Sequence, residues 1–79
     1  MAIQFRYNAP QGTSGGAICA MRGEVANSMG GLGDIRVEPV DGGIVLEARD
    51  QAQLNKAKEI AEEILLPSGW TRFGLPGGV

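Results

Sequence analysis

The tripeptide Asp41-Gly42-Gly43 constrains the fold of this chain more than any other feature. An acidic residue followed by glycine, between two apolar runs, is a strong hairpin signal. The tight turn needs backbone at positive φ, which glycine adopts without steric cost. The flanking residues agree with it. Ile35 to Val40 reads as a strand with Ile35 and Val37 on one face. Ile44 to Arg49 reads as its return, with Ile44, Leu46 and Ala48 inward and Glu47 and Arg49 outward. Val45 is the misfit on the outward row. Pro39 has no N–H to add to a ladder, so the strand that carries it belongs at a sheet edge.

A helix follows directly. Asp50 is a good N-cap, and Gln53 sits three residues on, as a capping box requires. Leu54, Ala57, Ile60, Ala61, Ile64 and Leu65 form one apolar stripe, and the helix runs to about Leu65 before Pro67 stops it. Gln53, Lys56, Glu59, Glu62 and Glu63 face water; with Lys58 the charged ones read as a solvated helix face.

Ahead of the hairpin the pattern is strand, then helix. Ile3, Phe5 and Tyr7 alternate with Gln4, Arg6 and Asn8 over Ala2 to Asn8. Ile3 and Phe5 face the core, Tyr7 ends the row at the rim, and Pro10 closes the strand. Pro10 to Gly16 is a loop. Ala17 to Met29 has helical spacing through Ile18, Met21, Val25 and Met29, with Ser14 or Gly15 as N-cap. Gly30, Gly31 and Gly33 end this helix. The fold expected is α+β: a three-stranded antiparallel sheet with two helices on one face, in the order βαββα. Residues 1–66 make the single domain. Residues 67–79 form a Gly/Pro-rich, irregular tail around Trp70 and Phe73. Either Trp70 packs back over the core, or Trp70 and Phe73 anchor a second copy of the chain.

At 79 residues the core is small, and self-association is a reasonable source of extra stability. A single cysteine, Cys19, rules out an intramolecular disulfide, the absence of histidine removes Ser-His and Cys-His catalysis, and no cluster of Cys and carboxylates has zinc spacing. No cofactor, metal or catalytic residue is expected, and the chain reads as a non-enzyme. Cys19 lies near a helix start, where a thiol pKa can fall, but a small buried hydrophobe is the ordinary role for such a residue. A net charge of −2 argues against a general electrostatic grip on nucleic acid while leaving room for a local basic strip. There is no signal-like start and no apolar run long enough for a membrane span. The lone thiol suits a reducing compartment, so a cytoplasmic location is expected.

From Gly12 to Leu65 the chain resembles a KH domain, the small RNA-binding fold, and is most similar to the type found in polynucleotide phosphorylase. Gly12-Thr13-Ser14-Gly15 matches the family's G-x-x-G loop, and Ile18 the first apolar residue of the helix after it. Asp34 to Glu38 matches the strand, Asp41-Gly42-Gly43 the turn, and Ile44 to Asp50 with Ala57 and Ile60 the closing strand and helix. Three departures stand out. The family's short helix before the loop is absent, the stretch from Gly15 to Ile35 is longer than usual, and Thr13 and Ser14 replace a basic residue often found inside the loop. The resemblance implies a reduced KH domain that binds single-stranded RNA or DNA. Its site would be Gly12, Thr13, Ser14 and Gly15, with Arg22 and Arg36 reaching the backbone.

The residues alone leave that loop open between two roles. Three glycines in Gly12 to Gly16 ahead of a helix N-terminus suit an anion, and they also suit a plain strand-to-helix connection. It is not a nucleotide P-loop, because the Gly-Lys-Ser/Thr ending is missing. A homodimer joined through the edge strand or the tail, without nucleic acid, is the competing expectation.

Overall fold

A computed structural model describes residues 3–73. Strand β1 spans Ile3–Asn8, helix α1 Gly15–Ser28, β2 Arg36–Val40, β3 Gly43–Ala48 and helix α2 Gln51–Leu65. A 3-10 turn over Leu66–Ser68 leads to a short strand β4, Thr71–Arg72. The sheet is antiparallel throughout, in the order β2-β3-β1-β4.

The α+β class and the strand–helix–hairpin–helix order follow the periodicity. The strand count differs from expectation: the sheet has four strands, because part of the C-terminal stretch pairs with β1. Tyr7 faces Arg72 and Asn8 faces Thr71. A two-residue strand is too short to leave an alternating pattern, and its existence depends on β1 offering an open edge. Gly69, in the left-handed region at φ 91°, ends the 3-10 turn and points the chain back along β1.

Helix α1 lies over the β2–β3 half of the sheet and α2 over the β3–β1 half, on the same face. The row Tyr7–Ile44, Phe5–Leu46 and Ile3–Ala48 points at them, as do Val37 and Pro39 of β2. Ile18, Val25 and Met29 from α1 meet Leu54, Ala57, Ala61 and Leu65 from α2 over this row. Full burial of such side chains contributes about 1.5–3 kcal/mol each. Trp70 completes the core at 4% exposure, so of the two readings of the tail the structure takes the inward one. Its ring is not free to anchor a second copy. Phe73 remains half exposed.

Tyr7 corrects the rim assignment: it is fully buried, deeper than Ile3 and Phe5. Its hydroxyl donates to Glu62 Oε2 at 2.8 Å. Glu62 is therefore no part of a solvated face. Arg72 holds the same carboxylate with both ends of its guanidinium, Nε at 2.9 Å and Nη2 at 2.6 Å. The Arg72 bonds hold the Glu62 carboxyl below the ordinary range against the opposing effect of burial, with the Tyr7 bond assisting. Burial first, and the adjacent carboxylate second, push the Tyr7 phenol above its ordinary value. This clamp ties β4 to α2 through the residue that ends the β1 core row.

Helix α2 is capped as expected, with Gln53 N–H donating to Asp50 Oδ1 at 2.9 Å. Only half of the capping box forms, because Gln53 Oε1 is buried without a partner among the described residues. Among the described residues no helix is long and apolar enough to cross a membrane.

Candidate functional site

The loop between β1 and α1 is built by three local bonds. Thr13 N–H and its hydroxyl both donate to the Pro10 carbonyl, at 3.1 Å and 2.6 Å. Gly12 takes φ 87°, the left-handed turn position that a side chain would strain. Ser14 is the N-cap of α1, its hydroxyl oxygen accepting from Ala17 N–H at 3.1 Å. The helix thus starts at Gly15, two residues before the apolar spacing begins, because the cap sets the boundary.

This loop faces the β2–β3 hairpin across an open cleft of about 420 Å³. Thr13, Gly15, Ile18 and Cys19 form one lip, and Pro39, Val40, Asp41 and Gly42 the other. The two sequence features with the strongest turn chemistry are therefore opposite sides of one groove. They are joined because α1 packs along edge strand β2. Cys19 is exposed within the cleft, which corrects its reading as a buried hydrophobe.

Arg22 stands one helical turn beyond Ile18 and continues that wall of α1. It is half buried and makes no ion pair with a described residue. Arg36 sits elsewhere. It alternates with Val37 and so projects from the helix-free face of the sheet, where it pairs with Glu38 at 3.1 Å. The structure sets Thr13 and Gly15 in the cleft lining, leaves Arg22 one turn further along α1 outside that lining, and leaves Arg36 on the helix-free face. Asp41 gives the hairpin lip an acidic member that reading the loop by itself did not include. No group of His, Cys, Asp and Glu among the described residues is arranged to hold a metal ion.

Sequence reasoning missed the far side of the cleft. The hairpin was legible, but that Pro39 and Val40 face Ile18 and Cys19 depends on helix-to-sheet packing. An edge strand marked by proline, following a helix that opens with glycines, is the signal that could have placed them together.

Comparison with known proteins finds no family model, no curated protein and no solved structure that matches this chain.

Proposed function

We propose that this chain is a small non-catalytic module of reduced KH type that binds single-stranded RNA or DNA in the cleft between the Gly12–Gly15 loop and the β2–β3 hairpin. The observation that carries this reading is the bare first turn of α1. A Cβ at Gly15 would meet nothing within 4 Å, as at Gly23 further along the helix, but of the two only Gly15 lines the cleft. Glycine in a helix costs up to about 1 kcal/mol relative to alanine. A phosphodiester backbone lying against the loop accounts for that cost. It needs close approach, N–H donors at a helix start and the hydroxyl of Ser14, whose proton the cap leaves unused while that of Thr13 is spent on the Pro10 carbonyl. Ile18, Pro39 and Val40 supply the apolar floor on which bases rest, and Arg22 the cation beyond it. About four nucleotides fit this mode.

The test is anisotropy of labelled single-stranded RNA and DNA at low salt. Gly15→Asp places a carboxylate in the cleft without steric conflict and at a helix end that favours it, so the variant folds and loses binding. Absence of binding by the wild type at about 100 μM, the weak end of non-specific affinity, ends the proposal. Cys19 gives an independent readout, since bound nucleic acid slows modification of its thiol. The cytoplasm is the proposed compartment, in keeping with that single thiol.

A second reading, self-association, rests on Phe73, which is exposed beside β4. The other exposed edge, β2, is less suited to pairing with a copy of itself because Pro39 withholds a donor. Sedimentation of the wild type at the concentrations used for binding checks it.

A further inference from the structure

The helix-free face of the sheet carries a feature that neither the core nor the cleft explains. Phe73 follows β4 and is 49% exposed, yet it is held in place. Its N–H donates to the Arg6 carbonyl at 3.0 Å. Arg72 before it is clamped by Glu62, and Trp70 three residues earlier sits in the core. The Arg6 guanidinium stands over the Phe73 ring, 4.8 Å from its centre. With Gln4, Phe5 and Val45 these two residues line a hollow of about 490 Å³.

Arg6 makes no ion pair with a described residue. Its guanidinium donates to two neutral oxygens, Asn8 Oδ1 at 3.3 Å and the Asp41 carbonyl. Asp41 and Gly42 belong to the hairpin lip of the cleft. One side chain therefore reaches from the hollow on the helix-free face to the rim of the cleft. Its positive charge is not neutralised on the way. An aromatic ring fixed at the surface beside an arginine is the arrangement on which unpaired bases stack while the guanidinium meets phosphate. Of the carboxylates along this path, Glu38 is taken by Arg36, while Asp41 at the turn and Glu47, between Gln4 and Arg36, oppose an anion.

We infer that a single strand seated in the cleft continues over the β2–β3 turn onto the helix-free face, where Phe73 stacks a base and Arg6 meets the phosphate. This rests on the reading of the cleft given above. The path has a built-in link, since Arg6 contacts both the ring and the turn. Val45 gives the apolar surface beside the ring, which explains the misfit on the outward row of β3.

Two labelled oligonucleotide lengths test it: one of about four nucleotides, enough for the cleft, and one of roughly ten, enough to turn onto the second face. Phe73→Ala is expected to weaken the longer oligomer about tenfold, within the range for losing one stacked base, and to leave the shorter unchanged. Phe73→Tyr restores the longer. Glu47→Gln tightens the longer oligomer alone, and Gly15→Asp weakens both. If Phe73→Ala leaves the longer oligomer unaffected while Gly15→Asp abolishes binding, this inference fails and the cleft reading stands. Equal weakening of both lengths by Phe73→Ala overturns it, since the residue then acts through the fold. So does a wild type that sediments as a dimer and a Phe73→Ala variant that sediments as a monomer, which makes this face a contact between copies. A wild type that binds neither length ends both readings.

Discussion

Gly43 follows directly on the hairpin lip of the cleft, and Gly15 stands on the loop lip. Gly43 is buried in the first pair of the β1–β3 ladder, opposite Asn8, and a Cβ there would collide with the Tyr7 carbonyl. Gly15 is exposed, and a Cβ there would touch nothing. The same residue type answers two different demands. At Gly43 the neighbouring strand excludes a side chain, so the fold itself requires glycine. At Gly15, as at Gly23 further along the same helix, no contact inside the chain does, and it is its place on the cleft lip that gives Gly15 a role in the proposed binding. Glycine content alone cannot separate these cases, whereas the space around each position can.

The largest effect expected is from Gly43→Ala. The backbone of Tyr7 cannot move aside without disturbing a fully buried side chain, and overpacking of this kind costs about 3 kcal/mol. A urea midpoint close to that of the wild type would break the comparison at its better-determined end.

Next comes a control outside both lips. Glu62→Gln removes the charge that Arg72 and Tyr7 share and is expected to cost about 1 kcal/mol at neutral pH, allowing for the partial exposure of Arg72. Since the folded state holds the Glu62 carboxyl below its ordinary value, this stability is complete above the unfolded pKa. It fades as the pH falls through the lower folded one. Urea midpoints of wild type and variant should therefore converge in acid. Equal separation at every pH would mean that the charge has no part in the clamp.

Smaller still, and of opposite sign, is Gly15→Ala. It should stabilise the chain by about 0.5 kcal/mol, through helix propensity and a less flexible unfolded state. Loss of stability there would erase the distinction from Gly43. The smallest effect on stability belongs to Arg22→Ala, expected within about 0.5 kcal/mol of wild type. Under the proposed function its consequence lies in binding, where the salt dependence of nucleic-acid affinity should flatten by about one unit of slope. An unchanged slope removes Arg22 from the cleft.

What the sequence made legible was local. Alternation of Ile3, Phe5 and Tyr7, the Asp41-Gly42-Gly43 turn, the Asp50 cap and the stripe from Leu54 to Leu65 all depend on residues a few positions apart. Each appears in the structure within about two residues of the expected bounds. The rest depended on distance. Tyr7 and Glu62 lie 55 positions apart, and no spacing rule links them. As the last apolar residue of its row Tyr7 reads as the rim, but a carboxylate from α2 satisfies its hydroxyl and lets the ring go inside. Strand β4 exists because β1 has an edge to offer and Trp70 a core to enter. The cleft was half legible: its loop showed in the glycines, and its second wall did not.

The position of β1 in the sheet also sets the order in which the chain can complete itself. β1 is synthesised first, yet both of its neighbours, β3 and β4, come from the second half of the chain. The first strand therefore waits, with both edges unpaired, until Gly43 to Ala48 and then Thr71 to Arg72 have been made. Its long-range pairings bring a loop-closure cost that slows folding. Until then the apolar row of β1 has neither of its sheet neighbours to pack beside.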